Sequence, residues 1–151
     1  HLLFVGDSSE YPKGFDRILN LIETTNYKFC LVMKDNFKLN HDRVTIFNKI
    51  DHIDLRKVYN SCSMLLCPSR EETLHLAGIE AAACNLPIVA TDVGIYKDLD
   101  SGMWGEKVKD LDFLGSIERI IQNNYSPRDY FLNMKLSKEN CKEAWRRIIN
   151  E

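Results

Sequence analysis

The chain has 151 residues, 44% of them apolar and 28% charged, with a formal net charge of −2. That length supplies one compact domain with a core and excludes two full ones. The slightly acidic balance excludes a polyanion such as DNA or RNA as the main partner.

No apolar stretch approaches the roughly 20 residues that a bilayer-spanning helix needs. The opening, HLLFVGD, lacks the basic segment and cleavage site of a signal peptide. It begins in a strand pattern, as a domain cut from a longer chain would. The five cysteines (Cys30, Cys62, Cys67, Cys84 and Cys141) are odd in number, and no two are spaced CxxC. They read as reduced thiols, most of them buried, in a cytosolic protein.

LLFVG (2–6) has the apolar run and terminal glycine of a buried parallel strand. DSSEYPKG (7–14) is a polar loop. FDRILNLIE (15–23) places Phe15, Ile18, Leu19 and Ile22 at helical spacing. Strands follow at 27–34 and 43–48. A short helix over 54–62 has Leu55, Val58 and Tyr59 on one face. A fourth strand over 63–69 is stopped by Pro68.

HLAGIEAAACN (75–85) is an alanine-rich helix, with Asn85 suited to a left-handed exit and Pro87 preventing continuation. PIVAT (87–91) is a fifth strand, VGIYKDL one helical turn, and GEKV (105–108) a sixth, short strand. Residues 112–124 form a helix with Phe113, Ile117, Ile120 and Ile121 inward. Pro127 opens another helix, and residues 137–151 form a terminal one with Cys141, Trp145 and Ile148 as a packing stripe.

The alternation of strand and helix predicts an α/β fold: a three-layer, Rossmann-like, doubly wound parallel sheet in strand order 3-2-1-4-5-6. No linker divides the 151 residues. Ligands of such sheets bind beyond the carboxyl ends of the strands, at the switch point. Two loops there draw notice, GDSSEYPKGF after the first strand and PSREETLHLAG after the fourth.

Glu72 stands just before a helix, and Glu80 eight residues later, a span on the order of 12 Å if helical. The intervening helix N-terminus, around Thr73–Leu76, favours a phosphate. Carboxylates on either side suit the hydroxyls of a nucleotide sugar. Lys13 is a point charge for phosphate and Gly14 allows close backbone approach. The plainer reading stays open at this point: a Glu favoured near a helix start, a solvated mid-helix Glu and a solvated Lys in a turn.

The ordered set of strand, Gly, loop, Lys-Gly and helix, then LRKVYNSCSMLLCPS, then E-x7-E and a downstream PIVATDVG, resembles the C-terminal domain of family 4 retaining glycosyltransferases of GT-B fold. The resemblance covers nearly the whole chain. It implies a donor-binding half that transfers a sugar, with retention, from a nucleotide diphosphate sugar to an acceptor hydroxyl. It implies that Glu72 meets the donor sugar, Glu80 the ribose and Lys13 the phosphate. Leu76 and Ala77 would offer backbone to the diphosphate, and Ile50 would lie near the base.

Lys13 and Glu72 are the residues this assigns to catalysis, with no metal and no cofactor beyond the donor. The acceptor, saccharide or lipid-linked, would belong to an N-terminal domain absent here. That domain would place the protein in the cytoplasm, peripheral to the inner membrane face. The fragment alone would be inactive. A nucleotide-sugar epimerase of similar fold and a non-catalytic nucleotide-binding module are the alternatives.

Three places depart from the family pattern. Asp7 stands where an Arg often binds phosphate, with Arg70 or Arg17 as compensating candidates. Thr73-Leu74-His75 replaces Gly-Phe-Gly, so that His75 either takes over a donor contact or covers the helix end. Gly94-Ile95 replaces paired glycines.

Overall fold

The computed structural model describes residues 1–133. Six parallel strands form one sheet in the order β3-β2-β1-β4-β5-β6, as the alternation predicts. They are β1 (Leu2–Gly6), β2 (Phe29–Met33), β3 (Val44–Asn48), β4 (Met64–Cys67), β5 (Ile88–Ala90) and β6 (Gly105–Lys107). The first strand has its expected bounds, and the other five are shorter than expected. The helices are α1 (Phe15–Thr24), α2 (His52–Ser61), α3 (Leu76–Ala83), α4 (Phe113–Gln122) and α5 (Pro127–Asn133), with single 3-10 turns at Tyr11–Lys13 and Gly94–Asp98.

Alternate residues along the central strands feed two separate cores. Leu2 and Phe4 of β1, with Phe29, Leu31 and Met33 of β2, pack under α1 and α4 against Ile18, Ile22 and Ile117. Leu3, Cys30, Val32, Leu65 and Ile88 face the opposite way, toward α2, α3 and α5, with Tyr59, Ala81, Tyr96 and Trp104. Burial on both faces explains why the central strands read as continuous apolar runs rather than alternating ones.

The helix boundaries differ from expectation for local reasons. α2 starts two residues early because Asp51 caps it, accepting the Asp54 N–H at 2.8 Å. α3 is shorter than expected at both ends. His75 sits outside it at φ 49°, and Asn85 takes the expected left-handed exit at φ 60°. Leu19 and Leu55 are only partly buried.

Ile121 is a correction. It was expected inward, yet it is 59% exposed, because Phe113, Ile117 and Ile120 already fill the face of α4 that meets the sheet. Cys30 and Cys67 are buried, whereas Cys62 and Cys84 are half-buried; all four are free thiols. The expected terminal helix over 137–151, and Cys141 with it, lies outside the described residues.

These positions separate core from surface in a stability measurement. Ile117→Ala is expected to cost about 2–5 kcal/mol in denaturant unfolding, as a cavity in a close-packed core does. Ile121→Ala, one turn on, is expected to stay within about 0.5 kcal/mol of the parent. Equal losses for the two would show that α4 is rotated from the orientation described here.

Candidate functional site

The loops after β1 and β4 meet. β1 lies between β2 and β4, so its loop emerges beside that of β4 at the carboxyl edge of the sheet. A backbone hydrogen bond joins them, from the Arg70 N–H to the Pro12 carbonyl at 2.7 Å. Gly14 makes the closeness possible. It sits at φ 69°, and a Cβ there would stand 2.1 Å from the Pro68 carbonyl oxygen. Its lack of a side chain is used to dock one loop on the other.

At this junction Lys13 Nζ donates to Glu72 Oε1 at 2.6 Å. The carboxylate side chain is 8% exposed and the lysine 26%. Ser69, buried, donates its hydroxyl to the same Glu72 oxygen at 3.2 Å. Ser69 is itself fixed, since the Thr91 hydroxyl donates to its carbonyl at 2.5 Å. Glu72 is therefore held through Oε1 by a cation and a hydroxyl.

Behind Glu72 the chain enters α3. No side chain caps this helix, so its first N–H groups, at Leu76 and Ala77, are open to a ligand. The Leu76 side chain is 67% exposed. The preceding segment is braced from the 3-10 turn after β5: Ile95 donates its N–H to the Thr73 carbonyl at 3.0 Å. A Cβ on Gly94 would stand 2.5 Å from that same oxygen, so a glycine is required there.

Glu80 lies one turn into α3, on the side facing α2. The Tyr59 hydroxyl donates to its Oε2 at 2.9 Å. Together they floor a cleft of about 380 Å³ whose walls include His52, Leu55, Arg56 and Ala83. Ile50, half-buried, packs against the same apolar core as Tyr59 and does not line this cleft. Only Glu80 of the two carboxylates is on the helix; Glu72 is on the loop before it, so helical rise does not measure their separation.

His75 is turned inward. It is 9% exposed, and its Nδ1 lies 2.7 Å from the Tyr96 hydroxyl. Burial lowers its pKa to about 4, with Glu72 and Lys13 acting in opposite senses. Gly78 leaves room for the pair, since a Cβ there would fall 2.0 Å from the Tyr96 oxygen. The ring covers the base of α3 from inside.

The acid at position 7 is occupied locally. Asp7 accepts from the Ser9 N–H at 2.9 Å and the Ser9 hydroxyl at 2.6 Å, and these bonds hold its pKa below the usual carboxylate value. Neither arginine named as a replacement is free. Arg70 forks onto Asp16 at 2.8 and 2.7 Å and lies 4.0 Å over the Tyr11 ring. Arg17 donates to the Pro68 carbonyl at 2.7 Å. Both fasten the loops together.

A larger groove of about 520 Å³ runs between α1 and the start of α4. Its charged walls are already used, Asp16 by Arg70 and Asp112 by the Gly115 N–H. The set of Lys13, Glu72, Glu80 and the α3 terminus lies elsewhere.

Sequence reasoning missed two residues at that set. Tyr59 was legible only as a packing residue of α2, and Ser69 only as the last residue of the fourth strand. A signal existed for Tyr59, because a buried phenol needs a hydrogen-bond partner.

Comparison with known proteins adds a frame for this geometry. A family model described as "Glycosyl transferases group 1" matches residues 1–123. An uncharacterized glycosyltransferase of Methanocaldococcus jannaschii is 28% identical over 167 residues, covering 99% of this chain and 47% of that protein. An O-antigen chain mannosyltransferase of Salmonella typhimurium is 28% identical over 106 residues, covering 62% of this chain and 30% of that protein. This chain thus spans about half or less of the curated relatives it matches.

Among solved structures, TarM superposes with a TM-score of 0.78 at 16% identity, over 99% of this chain and 35% of that one. Sucrose-phosphate synthase from Thermosynechococcus elongatus gives 0.69 at 23% identity, over 84% and 37%. At those identities the two structures bear on fold alone.

The buried His75 sets a pH dependence. It is neutral in the folded chain down to about pH 4, whereas unfolded it takes a proton near 6.5. Its contribution to stability is therefore complete above about pH 6.5 and is lost as pH falls toward 4, on the order of 3 kcal/mol in all. His75→Asn, which tolerates positive φ, is expected to flatten the unfolding free energy across that window relative to the parent. Parallel pH curves would show that the ring is not buried as a neutral base.

Proposed function

Since the chain belongs to the group 1 glycosyl transferases, we propose that it is the donor-binding half of an enzyme that moves a sugar from a nucleotide diphosphate sugar to an acceptor hydroxyl with retention. One observation carries this reading most: Lys13 bonds Glu72 on the loop that leads into the uncapped start of α3, with Glu80 one turn further along that helix. A cation and free N–H groups suit a diphosphate, and the flanking carboxylates suit sugar and ribose hydroxyls.

In this reading Lys13 and the α3 terminus stabilise charge that grows on the leaving diphosphate. Leu76 and Ala77 offer N–H groups, Glu72 orients the sugar, and Glu80 accepts from the ribose. No metal is needed for those roles. The acceptor, saccharide or lipid-linked, is met by a part of the protein beyond these residues. The share of each relative that the chain covers supports that division of labour.

The ion pair between Lys13 and Glu72 adds a condition. Glu72 takes one of the three ammonium N–H donors of Lys13, so a phosphate that reaches the other two shares the lysine's charge with the carboxylate. Glu72 and the diphosphate thus compete for one cation, while Glu72 and the sugar cooperate.

Calorimetric titration with UDP, GDP and ADP tests the site. Glu80→Ala is expected to lower the affinity of whichever diphosphate binds by about 1.5–3 kcal/mol, the worth of a hydrogen bond to a charged acceptor. Unchanged affinity would remove Glu80 from the site. Glu72→Gln is expected to leave the sugar-free diphosphate bound as tightly as in the parent, or more tightly, and to weaken the corresponding sugar conjugate. A loss of equal size for both ligands would sink the competition just described.

A further inference from the structure

Each carboxylate of the E-x7-E pair is gripped by a buried hydroxyl through one oxygen. Ser69 holds Oε1 of Glu72, and Tyr59 holds Oε2 of Glu80. The second case is the more informative, because Tyr59 has no need of Glu80 in order to pack. Its ring is already part of the core formed with Leu3, Val58 and Ala81. Only its hydroxyl reaches out from that core, and it ends on the carboxylate.

We propose that Tyr59 is a positioning residue for the donor site: its hydroxyl fixes the Glu80 carboxylate on α3 and turns the remaining oxygen, Oε1, toward the ligand. This rests on the reading of Glu80 as the ribose acceptor.

Three features support it. The Tyr59 ring is 2% exposed and locked in the core, so its hydroxyl has a fixed location that a surface side chain would lack. The bond crosses from α2 to α3 and so ties together the two walls of the 380 Å³ cleft. Among the described residues, the Tyr59 hydroxyl is the one protein group bonded to the Glu80 side chain, and it occupies a single oxygen. Burial and the adjacent carboxylate both raise the phenol's pKa, so it remains an O–H donor at any physiological pH.

A carboxylate on a mid-helix glutamate otherwise has three freely rotating bonds. Holding one oxygen removes most of that freedom before the ligand arrives, which is how a supporting group improves a binding site without touching the ligand.

Tyr59→Phe removes the oxygen and keeps the ring, so the core is preserved. Two measurements on the chain decide the matter. In ligand-free crystals at high resolution, the parent is expected to show one Glu80 conformer and Tyr59→Phe several. An unchanged single conformer in the variant would overturn the proposal without any reference to a ligand.

In calorimetry with UDP, GDP and ADP, Tyr59→Phe is expected to weaken the diphosphate that binds by about tenfold, the equivalent of one ordinary hydrogen bond. In a Glu80→Ala background the same substitution is expected to have no further effect. A tenfold loss that persists in that background would mean that Tyr59 acts by some route other than Glu80. Failure of Glu80→Ala itself to weaken binding would instead strike the donor-site reading, and the crystals would still decide whether Tyr59 fixes the carboxylate.

Discussion

The site depends on the placement of β1 between two unlike neighbours. On one side β2 follows it in sequence and pairs along five residues, Leu2 to Gly6 against Phe29 to Met33. On the other side β4, some sixty residues on, pairs for only two, Leu2 with Met64 and Leu3 with Leu65. Past that point the ladder between β1 and β4 ends; β1 runs on to Gly6 against β2 and β4 to Cys67 against β5, so the two strands diverge before their loops begin. This is the switch point of a doubly wound sheet. Lys13 and Glu72, 59 residues apart in the chain, come within 2.6 Å because of it.

The loops are then fastened by groups that have no other apparent task. Gly14 accommodates the Pro68 carbonyl, Arg17 donates to that carbonyl, and Arg70 bridges Tyr11 and Asp16. From the far side, Gly94 and Ile95 hold Thr73. The uncapped start of α3 is set in this frame, with His75 and Tyr96 filling the space beneath it. An uncapped helix end benefits from such support, because its first N–H groups have no partner within the helix.

Much of this was readable from residues. The period of the apolar runs and the turn residues between them led to six strands in the right order, since right-handed crossovers leave few other arrangements. Lys13 and Glu72 were traceable to neighbouring loops by the same logic. What could not be read were directions of side chains. Position 75 looked as able to meet a ligand as to cover a helix end; the inward turn follows from a positive φ and from the space left by Gly78, neither of which a string of letters displays. Arg17 and Arg70 looked like spare cations until the loops folded onto them. Ile121 fits an apolar stripe, yet a ten-residue helix lying on a sheet buries a narrower face than the stripe suggests. The Tyr59 hydroxyl went unnoticed because its ring satisfied the packing pattern.

The neutralisation of Lys13 by Glu72 also bears on the rate at which an anion finds the site. Residues 7–14 and 68–75 carry Lys13 and Arg70 against Asp7, Glu10, Glu71 and Glu72. The mouth therefore presents no net positive field to draw a diphosphate in from a distance, and encounter is left to diffusion and orientation. Ionic strength, which screens exposed charges over about 8 Å under physiological conditions, would ease the approach of an anion to this net acidic surface rather than hinder it. An anion bound beside Lys13 would share that cation with Glu72, so discrimination among such ligands would reside in how slowly they leave.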